Sequence, residues 1–203
     1  MKMDKVYRIR DIIASFLGLV VLSPIIIITA ILVAMFMGSP IFYKQVRAGR
    51  DGIPFTMIKF RTMVDAVDEH GNDLPDEERL TKVGKIMRKF SIDELPELWN
   101  VLKGDMSVVG PRPLYIKYIP RYNDRQKKRL QIRPGLTGWS QVNGRNSLTW
   151  ENRFEMDVWY VENRSFMLDV KILFKTIGVV FMAKGINQEG HATMQEFMGS
   201  KEK

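Results

Sequence analysis

Hydrophobic positions divide the chain into one long apolar segment and a remainder in which apolar and polar positions interleave. From Ile12 to Met37 no side chain is charged. A run of about 26 residues is long enough to cross the hydrocarbon of a bilayer as a straight helix. Ser23 and Pro24 interrupt it in "LVVLSPIIII". Proline removes one helical hydrogen bond, and its ring collides with the carbonyl four residues back. A break is therefore predicted near Val20 to Ser23, with the Ser23 hydroxyl taking up a freed carbonyl. The two arms, about 12 residues and 18 Å each, are too short to span a core of about 30 Å. The run is too long for a signal-peptide core, and no small-residue cleavage site follows it. Lys2, Lys5, Arg8 and Arg10 precede it, and Lys44, Arg47 and Arg50 follow. Positive flanks favour the cytoplasmic side, so both ends are expected there. Local physics leaves two forms open, a re-entrant hairpin and a kinked single-pass helix.

Beyond Met37 no second run is long enough to span, and no repeat or low-complexity tract is present. "SPIFYKQVRAGRDGIPFTMIKFRTM" predicts two short strands around a glycine-containing turn. Residues 65–79 are acidic, with Gly71, Asn72 and Pro75, and predict an exposed loop. Its acids and His70 leave a metal site as the minor alternative to a solvated loop. A helix is predicted to end near Lys89, and another to run from about Glu94 to Leu102 with Gly104 as its stop. "MSVVGPRP" predicts a short strand entering a rigid loop. A basic helix is expected from about Pro120, "GLTGWSQVNGR" reads as loop, and "SLTWENRFEMDVWYVEN" as helix. "LDVKILFKTIGVVFMAKG" is apolar over most of its surface, with Lys171, Lys175 and Lys184 interspersed. It suits either a buried core helix or an interfacial one.

Composition narrows the function classes. The 203 residues suffice for one domain plus an appendage. Without cysteine, neither disulfides nor a thiolate metal site can form. A net charge of +8 favours polyanionic partners: nucleic acid, anionic headgroups or phosphorylated substrates. Nucleic acid is set aside because no recognition helix, aromatic-studded basic stripe or known motif accompanies the charge.

The candidate chemistry is the adjacent pair Asp93 and Glu94, amid Lys82, Lys85, Arg88 and Lys89. The structural alternative is a capping box with Ser91 as cap and Glu94 as its partner. Pro96 argues against it, because it would stand where the helix needs an N–H. With Pro96 in the first turn instead, the cap falls on Leu95, Glu94 or Asp93, and the two acids stand at the helix mouth. Such a pair can supply a nucleophile toward phosphorus and oxygen ligands for Mg²⁺. Phosphoryl transfer also needs cations on the non-bridging oxygens. Lys59, Arg61, Arg88, Arg112, Arg133 and Arg145 are candidates. Arg112, fixed between prolines in "GPRP", and Arg145, closing "GWSQVNGR", are favoured as loop arginines with restrained backbones.

These residues sit in long motifs: the apolar segment with its Ser-Pro, "KFRTM", "SIDELPELWNVLKGDMSVVGPRP", "RPGLTGWSQVNGR" and "DVWYVENRS…LDVKILFKT". Through them, over nearly its whole length, the chain resembles the bacterial sugar transferases, in particular the small monotopic phosphoglycosyl transferases. The match looks closest to those that start bacterial N-linked glycan assembly on undecaprenyl phosphate with a UDP-activated N,N'-diacetylbacillosamine. The same chemistry on another UDP-N-acetylated sugar, for O-antigen, capsule or exopolysaccharide, is the alternative; a single-pass scaffold is the non-enzymatic one.

The resemblance implies a re-entrant hairpin broken at Ser23-Pro24 over residues 1–37 and a cytoplasmic-face catalytic domain over residues 38–203. The fold class expected is α+β: the hairpin, then a mainly helical domain with a small sheet and interfacial amphipathic helices. It further implies that Asp93 and Glu94 are the catalytic dyad and Mg²⁺ ligands, with Asp93 the nucleophile, and that Lys59, Arg88, Arg112 and Arg145 bind phosphates or nucleotide. Asp157 and Tyr160 fall in a shared motif without an assigned role. The implied partners are a UDP-sugar, undecaprenyl phosphate, the bilayer of the bacterial inner membrane and downstream glycosyltransferases.

Overall fold

A computed structural model describes residues 2–72, 74–144, 147–182 and 196–199. The apolar segment forms two helices, α1 (Lys2–Val21) and α2 (Ser23–Met37), bent by 62°. Pro24 stands in the first turn of α2. Its missing N–H is the one that would have met the Val20 carbonyl, and the Ser23 hydroxyl donates to that oxygen at 2.7 Å. No single helix among the described residues is long and apolar enough to cross a membrane; the bent pair meets that measure only together.

The first arm differs from the expected short apolar piece. α1 is continuous from Lys2, so its charged half belongs to the same helix as its apolar half. That charged half packs against the rest of the protein. Arg8 donates to the carbonyls of Val101 and Leu102, both at 2.5 Å, which places a cation on the negative end of a helix. Asp11 is buried, accepting from Ser107 Oγ at 2.7 Å, and Arg10 joins it to Asp169. α2 is anchored too: Val33 and Met37 bury themselves against Phe60 and Met87. The outward faces of both helices remain apolar and exposed, as at Phe16, Val20, Ile27, Ile28 and Ile31.

The predicted strands are β1 (Phe42–Ala48) and β2 (Pro54–Phe60), an antiparallel hairpin in which Tyr43 faces Lys59 and Gln45 faces Met57. The acidic stretch is loop except for one helical turn, α3 (Asp76–Arg79). α4 (Lys82–Lys89) is capped by Thr81, whose hydroxyl accepts from Gly84 N at 2.9 Å. The helix expected over 94–102 divides. A 3-10 turn at Ile92–Glu94 carries the two acids, and α5 (Glu97–Lys103) follows with Pro96 as its cap residue. Gly104 ends α5 at φ 100°, a left-handed conformation that favours glycine.

β3 (Ser107–Val109) enters the Gly-Pro-Arg-Pro loop as predicted. The basic helix does not form as one piece. Pro120 sits inside a 3-10 segment (Ile116–Arg121), and α6 (Asp124–Lys127) restarts from a capping box at Asn123 and Gln126. The region read as loop holds β4 (Gly135–Thr137) and α7 (Trp139–Val142). β4 pairs in parallel with β3, and the backbones approach so closely that a Cβ at Gly135 would lie 2.0 Å from Gly110 N. Parallel pairing between distant segments has no local turn to announce it, which is why the sequence reads as loop. There are thus two small two-stranded sheets among the described residues, not one.

α8 (Trp150–Asn163) and α9 (Phe166–Met182) complete the helices. Neither alternative for the last helix holds alone. Ile172 and Asp169 are fully buried, while Phe166, Met167, Phe174 and Ile177 are exposed. Lys184 lies outside the described residues.

Candidate active site

The acids owe their position to a reversal after α4. Ser91 adopts a left-handed conformation, φ 55°, and its side chain makes no capping bond. The capping-box alternative therefore fails. This non-glycine residue at positive φ is strained, and the strain turns the chain so that the next turn faces a cavity of about 920 Å³.

Lys59 reaches this turn from β2. Its Nζ lies 2.6 Å from Glu94 Oε1 and 3.1 Å from Glu97 Oε1. The first contact is a hydrogen bond; the second is an ion pair without hydrogen-bond alignment, and Glu97 Oε1 has no donor among the described residues. Buried Asn100 fixes strand and helix together, its Oδ1 accepting from Ile58 N at 3.1 Å and its Nδ2 donating to the Thr56 carbonyl at 2.7 Å. Arg112 comes from the loop that follows β3, with Nη2 2.6 Å from the same Glu94 Oε1.

Arg88 lines the cavity from α4, its Nε donating to Thr62 Oγ1 at 3.1 Å. Lys59, Arg88, Asp93, Glu94 and Arg112 thus meet in one cavity, and Arg145 lies outside the described residues. Of the other cations considered, Arg61 is engaged by Asp65 and the Ser39 and Met63 carbonyls, and Arg133 by the Gly104 carbonyl.

The environments drive the two acids apart. Burial raises Glu94, but Arg112 and Lys59 together outweigh it and hold the carboxyl far below its usual range. Asp93 is also buried, and burial followed by the Glu94 charge pushes it up against the pull of Lys59, Arg88 and Arg112. Its carboxylate accepts no hydrogen bond among the described residues. Adjacent acids with opposed shifts are suited to different roles. Asp93 carries the more basic carboxyl, and Glu94 is an anion held by two cations.

An Mg²⁺–diphosphate is ordinarily held through one or two carboxylates, with phosphate oxygens and water completing the octahedron. The residues present fit that pattern. Among the described residues Asp93 has no hydrogen-bond partner, and both cations on Glu94 use Oε1, leaving Oε2. No group of three or more possible metal ligands occurs among the described residues.

Glu97 and Arg129 were not singled out beforehand, and Asp157 and Tyr160 had no assigned role. Glu97 is 2% exposed, and burial pushes it up to about 7. Asp157 pairs with Arg129 at 2.9 Å, both fully buried, and accepts from Ser140 Oγ at 2.7 Å. Arg129 Nη2 in turn donates to the Arg112 carbonyl at 2.6 Å. Tyr160 donates to Asp169 Oδ1 at 2.6 Å, joining the polar cluster beneath α1. The signal for Asp157 was a charge on the apolar face of a helical pattern.

Comparison with known proteins supplies the family. The family model described as "Bacterial sugar transferase" matches residues 3–183. A Bacillus subtilis protein named "Uncharacterized sugar transferase EpsL" is 54% identical over 193 residues, 95% of this chain and 96% of the relative. The exopolysaccharide production protein ExoY of Rhizobium meliloti is 36% identical over 195 residues, 88% of this chain and 86% of its own. The UDP-N-acetylgalactosamine-undecaprenyl-phosphate N-acetylgalactosaminephosphotransferase of Aeromonas hydrophila is 37% identical over 187 residues; the match covers 88% of this chain but 44% of that protein. With the family model matching nearly the whole described chain, this protein belongs to the bacterial sugar transferase family.

Proposed function

We propose that the protein transfers a phosphosugar from a UDP-sugar to undecaprenyl phosphate and releases UMP, through a covalent intermediate on Asp93. The observation that carries this reading is the asymmetry of the dyad: Glu94 clamped by Lys59 and Arg112, and Asp93 beside it at the cavity wall without a hydrogen bond among the described residues. The printed name of the Aeromonas relative supports the donor and acceptor classes.

An Asp93 oxygen attacks the β-phosphorus and the bond from that phosphorus to the bridging oxygen breaks. UMP leaves with the electron pair, and an acyl phosphate carrying the sugar remains. An oxygen of the lipid phosphate then attacks the same phosphorus and Asp93 leaves as carboxylate. Two displacements avoid assembling both anionic substrates around one phosphorus at once. Lys59, Arg88 and Arg112 neutralise the phosphoryl oxygens, and Glu94 keeps Lys59 and Arg112 in place between the steps. Asp93 and Glu94 Oε2 would hold Mg²⁺, which supplies charge neutralisation to the diphosphate when bound.

In the same reading the bent helix pair enters one leaflet and turns back, with both its ends and the active site at the cytoplasmic face of the bacterial inner membrane. The exposed apolar face of α9, with Lys171 and Lys175 beside it, lies along the headgroups. The bonds of Arg8, Arg10 and Asp11 support this arrangement, because they hold the cavity at a set height relative to the hairpin.

The donor sugar is decided by a panel of UDP-sugars, with N,N'-diacetylbacillosamine tested beside N-acetylgalactosamine and galactose. Purified protein, Mg²⁺ and undecaprenyl phosphate should release UMP from one of them, and chelation should abolish the release. Absence of UMP with every donor, or full activity in Asp93→Asn, overturns the proposal.

A further inference from the structure

The cavity extends well past the dyad, along the face of the hairpin that carries Lys59. Residues opposite one another in an antiparallel pair share a face, as do alternate residues of one strand. The pairing of Tyr43 with Lys59 therefore places Tyr43, Gln45 and Arg47 in one row leading away from the Glu94 contact. At about 3.4 Å per residue, Arg47 stands about 14 Å along the strand from Tyr43.

Arg47 is held as a rigid unit. Its guanidinium carbon lies 3.7 Å from the ring centroid of Tyr115, and Nη2 donates to Gln45 Oε1. Gln45 Nε2 in turn donates to the hydroxyls of Tyr43 at 2.9 Å and Tyr115 at 3.3 Å. Arg47 Nε is buried and has no partner among the described residues. The groups that act most strongly on this guanidinium are the phenols of Tyr115 and Tyr43 and the cation of Arg112. A desolvated cation facing another cation is costly unless an anion completes the site. Tyr43 and Tyr115 also remain about half and one-third exposed, offering aromatic surface beside that cation.

We propose that Arg47, stacked on Tyr115 and oriented by Gln45, binds the nucleoside-monophosphate half of the donor. Its Nε donates to the phosphate that leaves, and the neighbouring aromatic surface receives the base. This rests on the donor being a nucleoside diphosphate sugar. Lys59 and Arg112 then serve the phosphorus under attack, and Arg47 the phosphate across the bridging oxygen from it. The undecaprenyl phosphate offers the same chemistry, so the two sources have to be separated.

The test is calorimetric titration of UMP into the full-length protein in lipid nanodiscs, alongside the two half-reactions. Arg47→Ala is expected to weaken UMP about 10- to 100-fold and to raise the donor KM in parallel. Arg47→Lys keeps the charge but loses the stacked fork, so it should also weaken UMP, by about tenfold. Tyr115→Leu should lower UMP affinity, and Tyr115→Phe should largely retain it. Transfer from a preformed phosphosugar–enzyme to the lipid, after UMP has gone, should change by less than about threefold in Arg47→Lys. Unchanged UMP affinity in Arg47→Lys and Tyr115→Leu overturns the proposal. So does a loss confined to the lipid half-reaction, which would assign Arg47 to the acceptor phosphate. If wild-type protein binds UMP but turns over no UDP-sugar, the functional reading fails while the nucleotide site stands.

Discussion

Arg129 donates through Nη2 to the carbonyl oxygen of Arg112 at 2.6 Å while its other contacts hold it against Asp157. A cation completely buried behind the Gly-Pro-Arg-Pro loop thus fixes the backbone of the arginine that clamps Glu94. Removing one partner of such a pair strands a buried charge. Asp157→Asn should lower unfolding stability by about 3–5 kcal/mol, whereas replacing both residues with apolar ones of similar volume should cost less. Thermal unfolding of the single and double variants checks this. The double variant should still show reduced UMP release, because the Arg112 carbonyl has lost its donor.

The dyad predicts unequal losses. Asp93→Asn has no free carboxylate for attack, so UMP release should fall by more than the roughly 10²- to 10³-fold lost with a single electrostatic donor. Glu94→Gln leaves Lys59 and Arg112 facing a neutral group and should be badly impaired as well. Wild-type protein given UDP-sugar without lipid should release about one UMP per site in a burst. Mass spectrometry should find the phosphosugar on the peptide containing Asp93.

Glu97 predicts a pH dependence of stability. Its carboxyl is raised from 4.5 to about 7 in the folded protein. Between those values the folded state holds a proton that the unfolded chain has released, so stability falls as pH rises through this window. Glu97→Gln removes the titrating group and should flatten the curve. At pH 8 the variant should be more stable than wild type by about 1–3 kcal/mol, and at pH 4 close to it. Unfolding midpoints measured across pH 4 to about 8 decide it.

The bend at Ser23 and Pro24 predicts a topology. The chain has no cysteine, so single cysteines at Met3 and Ser39 give clean labelling. Both should react with a membrane-impermeant thiol reagent from the cytoplasmic side. Ser23→Ala combined with Pro24→Ala restores the N–H for the Val20 carbonyl and removes the competing hydroxyl. This variant should shift toward a straight spanning helix and place the two labels on opposite faces.

The features legible in the linear chain lie within a turn or two of their own cause. Pro24 cannot donate to Val20 and Ser23 can, so the break is written in three residues. Gly104 stops α5 because the left-handed conformation there favours glycine. The hairpin follows from alternation around a glycine turn, and the adjacency of Asp93 and Glu94 needs no fold at all. The tertiary structure decided which side chains meet. Lys59 and Arg112 approach Glu94 from opposite directions in the sequence, 35 and 18 residues away. β4 forms only because β3 is there to pair with it. Glu97 reads as an ordinary helical surface acid until Lys59 and the hairpin bury it, and Arg129 reads as solvated charge until Asp157 faces it. The reason is physical. Breaks, caps and turns are set by bonds the chain makes to itself nearby, whereas burial and charge pairing depend on segments that are neighbours only after folding.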